Sequence, residues 1–295
     1  MLRTGGSGNG LATSILKACG EEYGVVEAGF VIARGATQPL DIATCEGPGS
    51  SPQVPQTFYS FLSLSWAIVA DIDIESETYR CCGPARFEVS TVQRILCMRR
   101  YYGRLSYLPA DAAPEDAGAD SAPATPAGLK RLLPAADAAV PAGWVEEEGE
   151  TVLFWACNTA WASFESAQTP EAQLSDGCWQ LLTISGDDPH LAFCEVLNIA
   201  EDPAALANEH PNIRAPRAPP APADVSRGSE RVLCCGAGCI SVKAFRLEPE
   251  RRRGCLGLPC LGGAGVGHVS LDGEDGVYGS WQCEVHKGLA AVIGA

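Results

Sequence analysis

The sequence predicts an α+β protein that is mainly β, its strands arranged as an antiparallel β-sandwich. Three observations carry that prediction. Segments rich in β-branched and aromatic residues recur along the chain with turn chemistry between them. Helical patterns do not alternate with those segments, as they would around a parallel sheet. An apolar share of 46% over 295 residues is enough to bury a substantial core.

The chain opens on TGGSGNGLATSILKACG, where glycines and a serine precede a helical pattern at 10–19. Backbone N–H groups and the helix dipole at such a junction can converge on an anion such as a phosphate. A frayed tail fits the same composition. Strand-like segments follow at 24–35, 57–66 and 103–109, then at 150–161, 178–185, 239–249, 266–274 and 280–288. A second helix is expected over 90–102, STVQRILCMRRYY. There Val92, Ile95, Leu96 and Tyr102 fall at helical spacing behind Ser90 or Thr91 as a cap. The stretches 110–143 and 200–228 are rich in Ala, Pro and Asp. They read as long surface insertions with too little apolar content to order themselves.

Composition also excludes. Lys+Arg 21 against Asp+Glu 36 gives a net charge of −15, which argues against nucleic acid as a partner. No apolar run reaches the ~18 residues of a membrane span, and the first residues lack an apolar leader, so a cytoplasmic protein is expected. The 14 cysteines are scattered and read as reduced, mostly buried thiols. Cys234, Cys235, Cys239, Cys255 and Cys260 only approximate the paired spacing of a zinc site, and no metal is expected there.

Three constellations carry chemistry. Within VADIDIESETYR (69–80), a strand would set Val69, Ile72 and Ile74 against Asp71, Asp73, Glu75 and Glu77. Four acids that close call for a cation: a metal, an ammonium or an arginine. The solvated face of an edge strand is the plainer alternative. In YRCCGPARF, Arg80 and Arg86 bracket a Gly-Pro turn and could fork around phosphate oxygens, or simply pair with Glu75, Glu77 or Glu88. LDGE (271–274) could hold Mg²⁺ or accept from a nucleoside, and Asp-Gly is equally the commonest hairpin turn.

Taken together, LSLSWAIVADIDIESETYRCCGPARF, YYGRLSYLP, LSDGCWQLLTISG, VKAFRLEP and SLDGE, in that order, closely resemble the eukaryotic sphingosine kinases. These belong to the broader diacylglycerol-kinase-like lipid kinases. GGSGNGLATS is similar to that family's GSGN loop, and the resemblance covers nearly the whole chain outside the two insertions. It implies that residues 1–20 are the remnant of an α/β nucleotide-binding domain and that 21–295 form a β-sandwich lipid-binding domain. It also implies phosphorylation of the primary hydroxyl of sphingosine or another sphingoid base to the 1-phosphate, with ATP and Mg²⁺. By the same resemblance Asp73 would bind the amino group, and Ser63 and Ile68 would line the head-group end of the pocket. Arg80 and Arg86 would hold ATP phosphates. Asp272, Gly273 and Glu274 would sit at the nucleotide opposite Gly6, Ser7 and Gly8, and Glu77 would orient Arg80 or the metal. Peripheral contact with an intracellular or plasma membrane follows from such a substrate. Arg94, Arg99, Arg100 and Arg104, or Arg251, Arg252 and Arg253, are candidate docking patches, solvated helix surface being the plainer alternative.

The chain departs from the family in places. The catalytic aspartate of these kinases lies in a Gly-Gly-Asp-Gly motif upstream of the GSGN loop, and no such motif occurs in this sequence. The catalytic residue is therefore expected upstream of Met1, and the chain alone is expected to be catalytically deficient. A non-catalytic sphingoid-lipid-binding module, a ceramide or diacylglycerol kinase and a truncated gene model are the alternatives. Cys81 and Cys82 stand where relatives usually carry a bulky or charged residue followed by Leu, and Pro84 stands where an acid is common.

Overall fold

The computed structural model describes residues 8–49, 55–112, 131–136, 138–164, 166–184, 239–251, 255–257 and 266–294. Gly6, Ser7, the 200–228 stretch, Cys234, Cys235, Cys260, Arg252 and Arg253 lie outside the described residues.

Two helices come first, α1 (Gly10–Ala18) and α2 (Val25–Arg34), then β1 (Thr37–Pro48), β2 (Pro55–Ser60) and β3 (Ser63–Ala67). Next are α3 (Ile68–Ser76), a 3-10 segment (Glu77–Ala85) and α4 (Arg86–Leu96). The remaining strands are β4 (Cys97–Arg99), β5 (Tyr101–Pro109), β6 (Val145–Thr151), β7 (Leu153–Cys157), β8 (Trp179–Ile184), β9 (Cys239–Pro249), β10 (Cys255–Gly257), β11 (Val269–Leu271), β12 (Glu274–Gly276) and β13 (Trp281–Ile293). Among the described residues, 11 strands form one curled sheet in the order β12-β11-β3-β7-β8-β9-β13-β1-β2, with β5 on β9 and β6 on β5. Every described pairing is antiparallel, and β10 pairs separately with β4.

β9 is the branch point. It pairs with β5 over Val242–Pro249, with β8 over Cys239–Val242 and with β13 over Ala244–Leu247, so two wings diverge from it. Trp66, Phe154, Trp179, Phe245 and Trp281 from both wings meet in one core. Phe245 receives Phe154 and Trp179 at 5.6 Å each, both edge-on, the arrangement favoured by the ring quadrupoles. Ala244 and Arg246 point to the other face of β9, and residues 131–136 and 138–144 lie across it. Leu133 packs with Leu108, Trp144 and Ala244. Arg246 donates to the carbonyls of Ala135 and Ala138, both at 2.7 Å, and Glu284 accepts from the amides of Leu132 (2.6 Å) and Leu133 (3.3 Å). Composition read 110–143 as an insertion; its described end is a strap held by buried polar anchors.

Several sequence expectations change. The 24–35 segment is α2, not a strand, because Ala28 and Val31 at i,i+3 fit against Leu16 while Val25, Val26 and Phe30 stay exposed. The 69–80 segment is α3 running into the 3-10 segment, so its acids sort by helical spacing: Asp71 with Glu75, Asp73 with Glu77. The helix expected over 90–102 spans Arg86–Leu96 and gives way to β4 and β5. Ser90 sits buried in mid-helix, while Val92 and Leu96 are exposed. That inversion arises because Arg94 must face the acids of α3. β1 was not expected as a strand; its inward residues include Ala43 and Cys45, too small to give a strong hydropathy pattern. The LDGE segment does form a hairpin, with Asp272 (φ 52) and Gly273 (φ 88) between the paired Leu271 and Glu274.

Candidate functional site

β3 delivers the chain to the site. Its period of two sends Leu64 and Trp66 into the core and leaves Ser63 and Ser65 on the opposite face. Ser270 of β11 lies directly across from Ser65. The Ser270 hydroxyl donates to Asp73 Oδ2 at 2.9 Å, so the strand pair and the middle of α3 meet at that carboxylate. At the junction of β3 and α3, Ala67 has φ 67 and ψ −140, a conformation that favours glycine.

Asp73 is half-buried, and burial is the chief reason its carboxyl is held above the usual carboxylate value. The Ser270 hydrogen bond and the Arg86 charge pull the other way, while Glu77 and Glu274 push it further up. Glu77 in turn bridges two guanidiniums, Arg86 on Oε1 and Arg80 on Oε2. The Arg86 side chain is 12% exposed and that of Arg80 is 76% exposed, so one turn presents an inner and an outer arginine.

Asp272 works differently. Its Oδ1 accepts from the Ser60 hydroxyl (2.6 Å) and the amides of Leu62 (3.1 Å) and Ser63 (2.9 Å), and its Oδ2 accepts from the Phe61 amide (3.1 Å). The carboxylate thereby fixes the β2–β3 turn and the start of Ser63's strand. Gly273 and Glu274 are exposed beside it. Ile68 is fully buried in the main core. The Gly8 carbonyl accepts from the Phe164 amide at 3.0 Å, seating the start of α1 on the loop after β7.

A second acidic centre lies on the neighbouring face of α3. Asp71 is fully buried. Its Oδ2 accepts from Arg99 Nη1 and from the Tyr101 hydroxyl (2.7 Å), and its Oδ1 accepts from the His268 amide (2.9 Å). Glu75 pairs with Arg94 Nε at 2.7 Å and Arg99 Nη1 at 2.9 Å. Burial works against the Arg99 charge, but Asp71, Tyr101 and Glu75 outweigh it and hold the guanidinium above its ordinary value. Burial, reinforced by Asp71, pushes the Tyr101 hydroxyl well up. Asp71, Glu75 and His268 bring ligand atoms within 4.8 Å of one another, yet the cations in place are guanidiniums. Sequence reading did not find this centre, because Asp71, Glu75 and Arg94 converge only when both segments are helices.

Arg94, Arg99, Arg100 and Arg104, one of the two candidate docking patches, do not form a single free cationic face. The first two are buried in this centre, and the others pair with Glu150 (2.6 Å) and Glu148 (3.1 Å). Arg251 donates to the Tyr278 carbonyl at 3.2 Å.

No protein-family model matches the sequence. Sphingosine kinase 1 of Arabidopsis thaliana is 35% identical over 252 residues, covering 84% of this chain and 45% of that protein. Sphingosine kinase 1 of Rattus norvegicus is 27% identical over 287 residues, covering 96% of this chain and 64% of that protein. The crystal structure of a diacylglycerol kinase from Bacillus anthracis str. Sterne matches with a TM-score of 0.53 and 14% identity, over 99% of this chain and 67% of that one. The fold is thus that of the diacylglycerol-kinase-like lipid kinases. Within that class the chain belongs to the sphingosine kinase family. It spans about half the length of the plant relatives it matches, 45% of one and 46% of the other.

Proposed function

We propose that this chain is the lipid-binding part of an ATP-dependent kinase that phosphorylates the primary hydroxyl of sphingosine and related sphingoid bases. The observation that carries this reading is the half-buried Asp73 carboxylate, oriented by Ser270 beside the Glu77–Arg80–Arg86 array. A partly desolvated carboxylate with two further acids near it favours a cation. The ammonium of a free sphingoid base supplies that charge; ceramide, an amide, and diacylglycerol, an alcohol ester, do not. The sandwich reading of the 21–295 domain, as the part that holds the lipid, belongs to the same proposal.

The donor set fits a nucleoside triphosphate with its metal ion. Arg80 and Arg86 on one turn offer a fork to phosphate oxygens, and the exposed Glu274 is a carboxylate of the kind Mg²⁺ takes. ATP bound there supplies the phosphoryl group, the arginines offset its charge, and Asp73 holds the amine so that the hydroxyl is oriented. Turnover needs a base and the facing wall of the nucleotide site, which in this reading belong to the half of the family sequence outside residues 1–295.

Membrane contact is part of the proposal, and α4 supports it. Val89, Val92 and Leu96, at 40%, 56% and 56% exposure, form an outward apolar stripe at i, i+3 and i+7. No helix among the described residues is long and apolar enough to cross a bilayer. The reading is tested by equilibrium binding of sphingosine, ceramide and diacylglycerol to residues 1–295. Preference for the free base supports it. Equal binding of all three contradicts it.

A further inference from the structure

Cys81 and Cys82 follow Arg80 directly, and both are exposed. Their sulfurs lie 3.9 Å apart. Cys19, Cys178 and Cys239 are only partly exposed and Cys45, Cys97, Cys157 and Cys283 are buried, whereas solvent reaches this adjacent pair freely. The backbone around it departs from regular helix on both sides, at Tyr79 (φ −104, ψ 22) and at Gly83 (φ 61, ψ −137). Such a segment yields locally without breaking α3 or α4. The turn also carries the fork, since Arg80 and Arg86 both lean on Glu77.

We propose that Cys81 and Cys82 form a redox-modification site, a vicinal dithiol that closes reversibly to a disulfide by exchange with a low-molecular-weight disulfide, and that closure reshapes the turn presenting Arg80 and Arg86. The Cys81 thiolate attacks one sulfur of the external disulfide and expels a thiolate, leaving a mixed disulfide. Cys82 then loses its proton and attacks the Cys81 sulfur, expelling the second small thiol. Two protein thiols are oxidised, one external disulfide is reduced to two thiols, and the two protons pass to the leaving thiolates. Contact with the neighbouring Cys81 thiol pushes the Cys82 thiol up. Closure must bring the sulfurs from 3.9 Å to about 2.05 Å within one dipeptide. The flanking backbone has to move to allow that.

The 295-residue chain incubated with oxidised glutathione, then digested and mapped by mass, tests the site. The expected product is a peptide spanning residues 81 and 82 that has lost two hydrogens, is protected from alkylation at both cysteines and is restored by dithiothreitol. Phenylarsine oxide, which bridges adjacent thiols, should bind the reduced chain here and fail on Cys81→Ser and on Cys82→Ser. Free thiols at both positions, separate glutathione adducts, or bonds to other cysteines would overturn the proposal. The effect on the turn is read by trypsin, whose cleavage after the exposed Arg80 should slow severalfold on oxidation; an unchanged rate would overturn the coupling. Neither readout uses lipid or ATP, so this proposal and the kinase reading fail separately.

Discussion

Asp73 is costly to the empty fold. The folded chain holds its proton more tightly than the unfolded chain does, so its ionisation destabilises the fold at pH above its raised value. That cost fades as pH falls through the raised value and is gone below the ordinary 3.8. Asp73→Asn keeps an oxygen for Ser270 and removes the charge, so a higher melting temperature at neutral pH is expected; a lower one contradicts the burial argument. Ala67 makes a second test at this scale. Its left-handed backbone costs about 1–3 kcal/mol for a non-glycine residue. Ala67→Gly should therefore stabilise by about 1 kcal/mol in urea denaturation, after allowance for the extra freedom of glycine in the unfolded chain. At residue scale the sequence was readable where a cluster sits in one contiguous run: Asp73, Glu77, Arg80 and Arg86 all lie in 69–86 and come together. Ser270 was not readable, since it is 197 residues from Asp73 and meets it only through the β3–β11 pairing.

The α3–α4 pair is joined to the sheet by charge as well as by apolar packing. Arg94 and Ser90 face inward on α4, and Asp71 ties α3 to β4, β5 and the segment before β11. Removing one member leaves buried charges unbalanced. Asp71→Asn should lower the unfolding free energy by about 3–5 kcal/mol in chemical denaturation. A loss under about 1 kcal/mol would mean that the guanidiniums find other partners. The strap over β9 holds by different means. Leu133→Ala should cost about 2–5 kcal/mol, because Leu108, Trp144 and Ala244 enclose it. Strands with large alternating residues, such as β9 and β13, were legible, and so was α1. The 24–35 and 69–80 segments misled because Val and Ile favour strands only where sheet packing receives them. In α2 the exposed valines met no partner, and in α3 the acids needed helical spacing to reach their arginines.

Across the molecule, one curled sheet supplies the frame, and in the proposed function a short helical excursion between β3 and β5 would supply the binding groups. That excursion holds Asp73, proposed as the amine acceptor, Arg80 and Arg86, proposed as the phosphate fork, the vicinal cysteines and the outward apolar stripe of α4. Substrate, nucleotide and membrane would therefore all be felt by the same segment. A net charge of −15 opposes adsorption to an anionic bilayer, so contact should depend on the apolar stripe. Val92→Asp together with Leu96→Asp should cut vesicle sedimentation severalfold without lowering the melting temperature, because both side chains are already exposed. Unchanged sedimentation would move the contact elsewhere.

The carboxylate at position 73 as the seat of a lipid ammonium is tested most directly by comparing wild type and Asp73→Asn for equilibrium binding of sphingosine at neutral pH. Loss of one charge-assisted hydrogen bond predicts affinity weaker by about 10- to 100-fold, with N-acylated sphingosine bound weakly by both. Equal affinity of the two proteins for the free base would contradict the account.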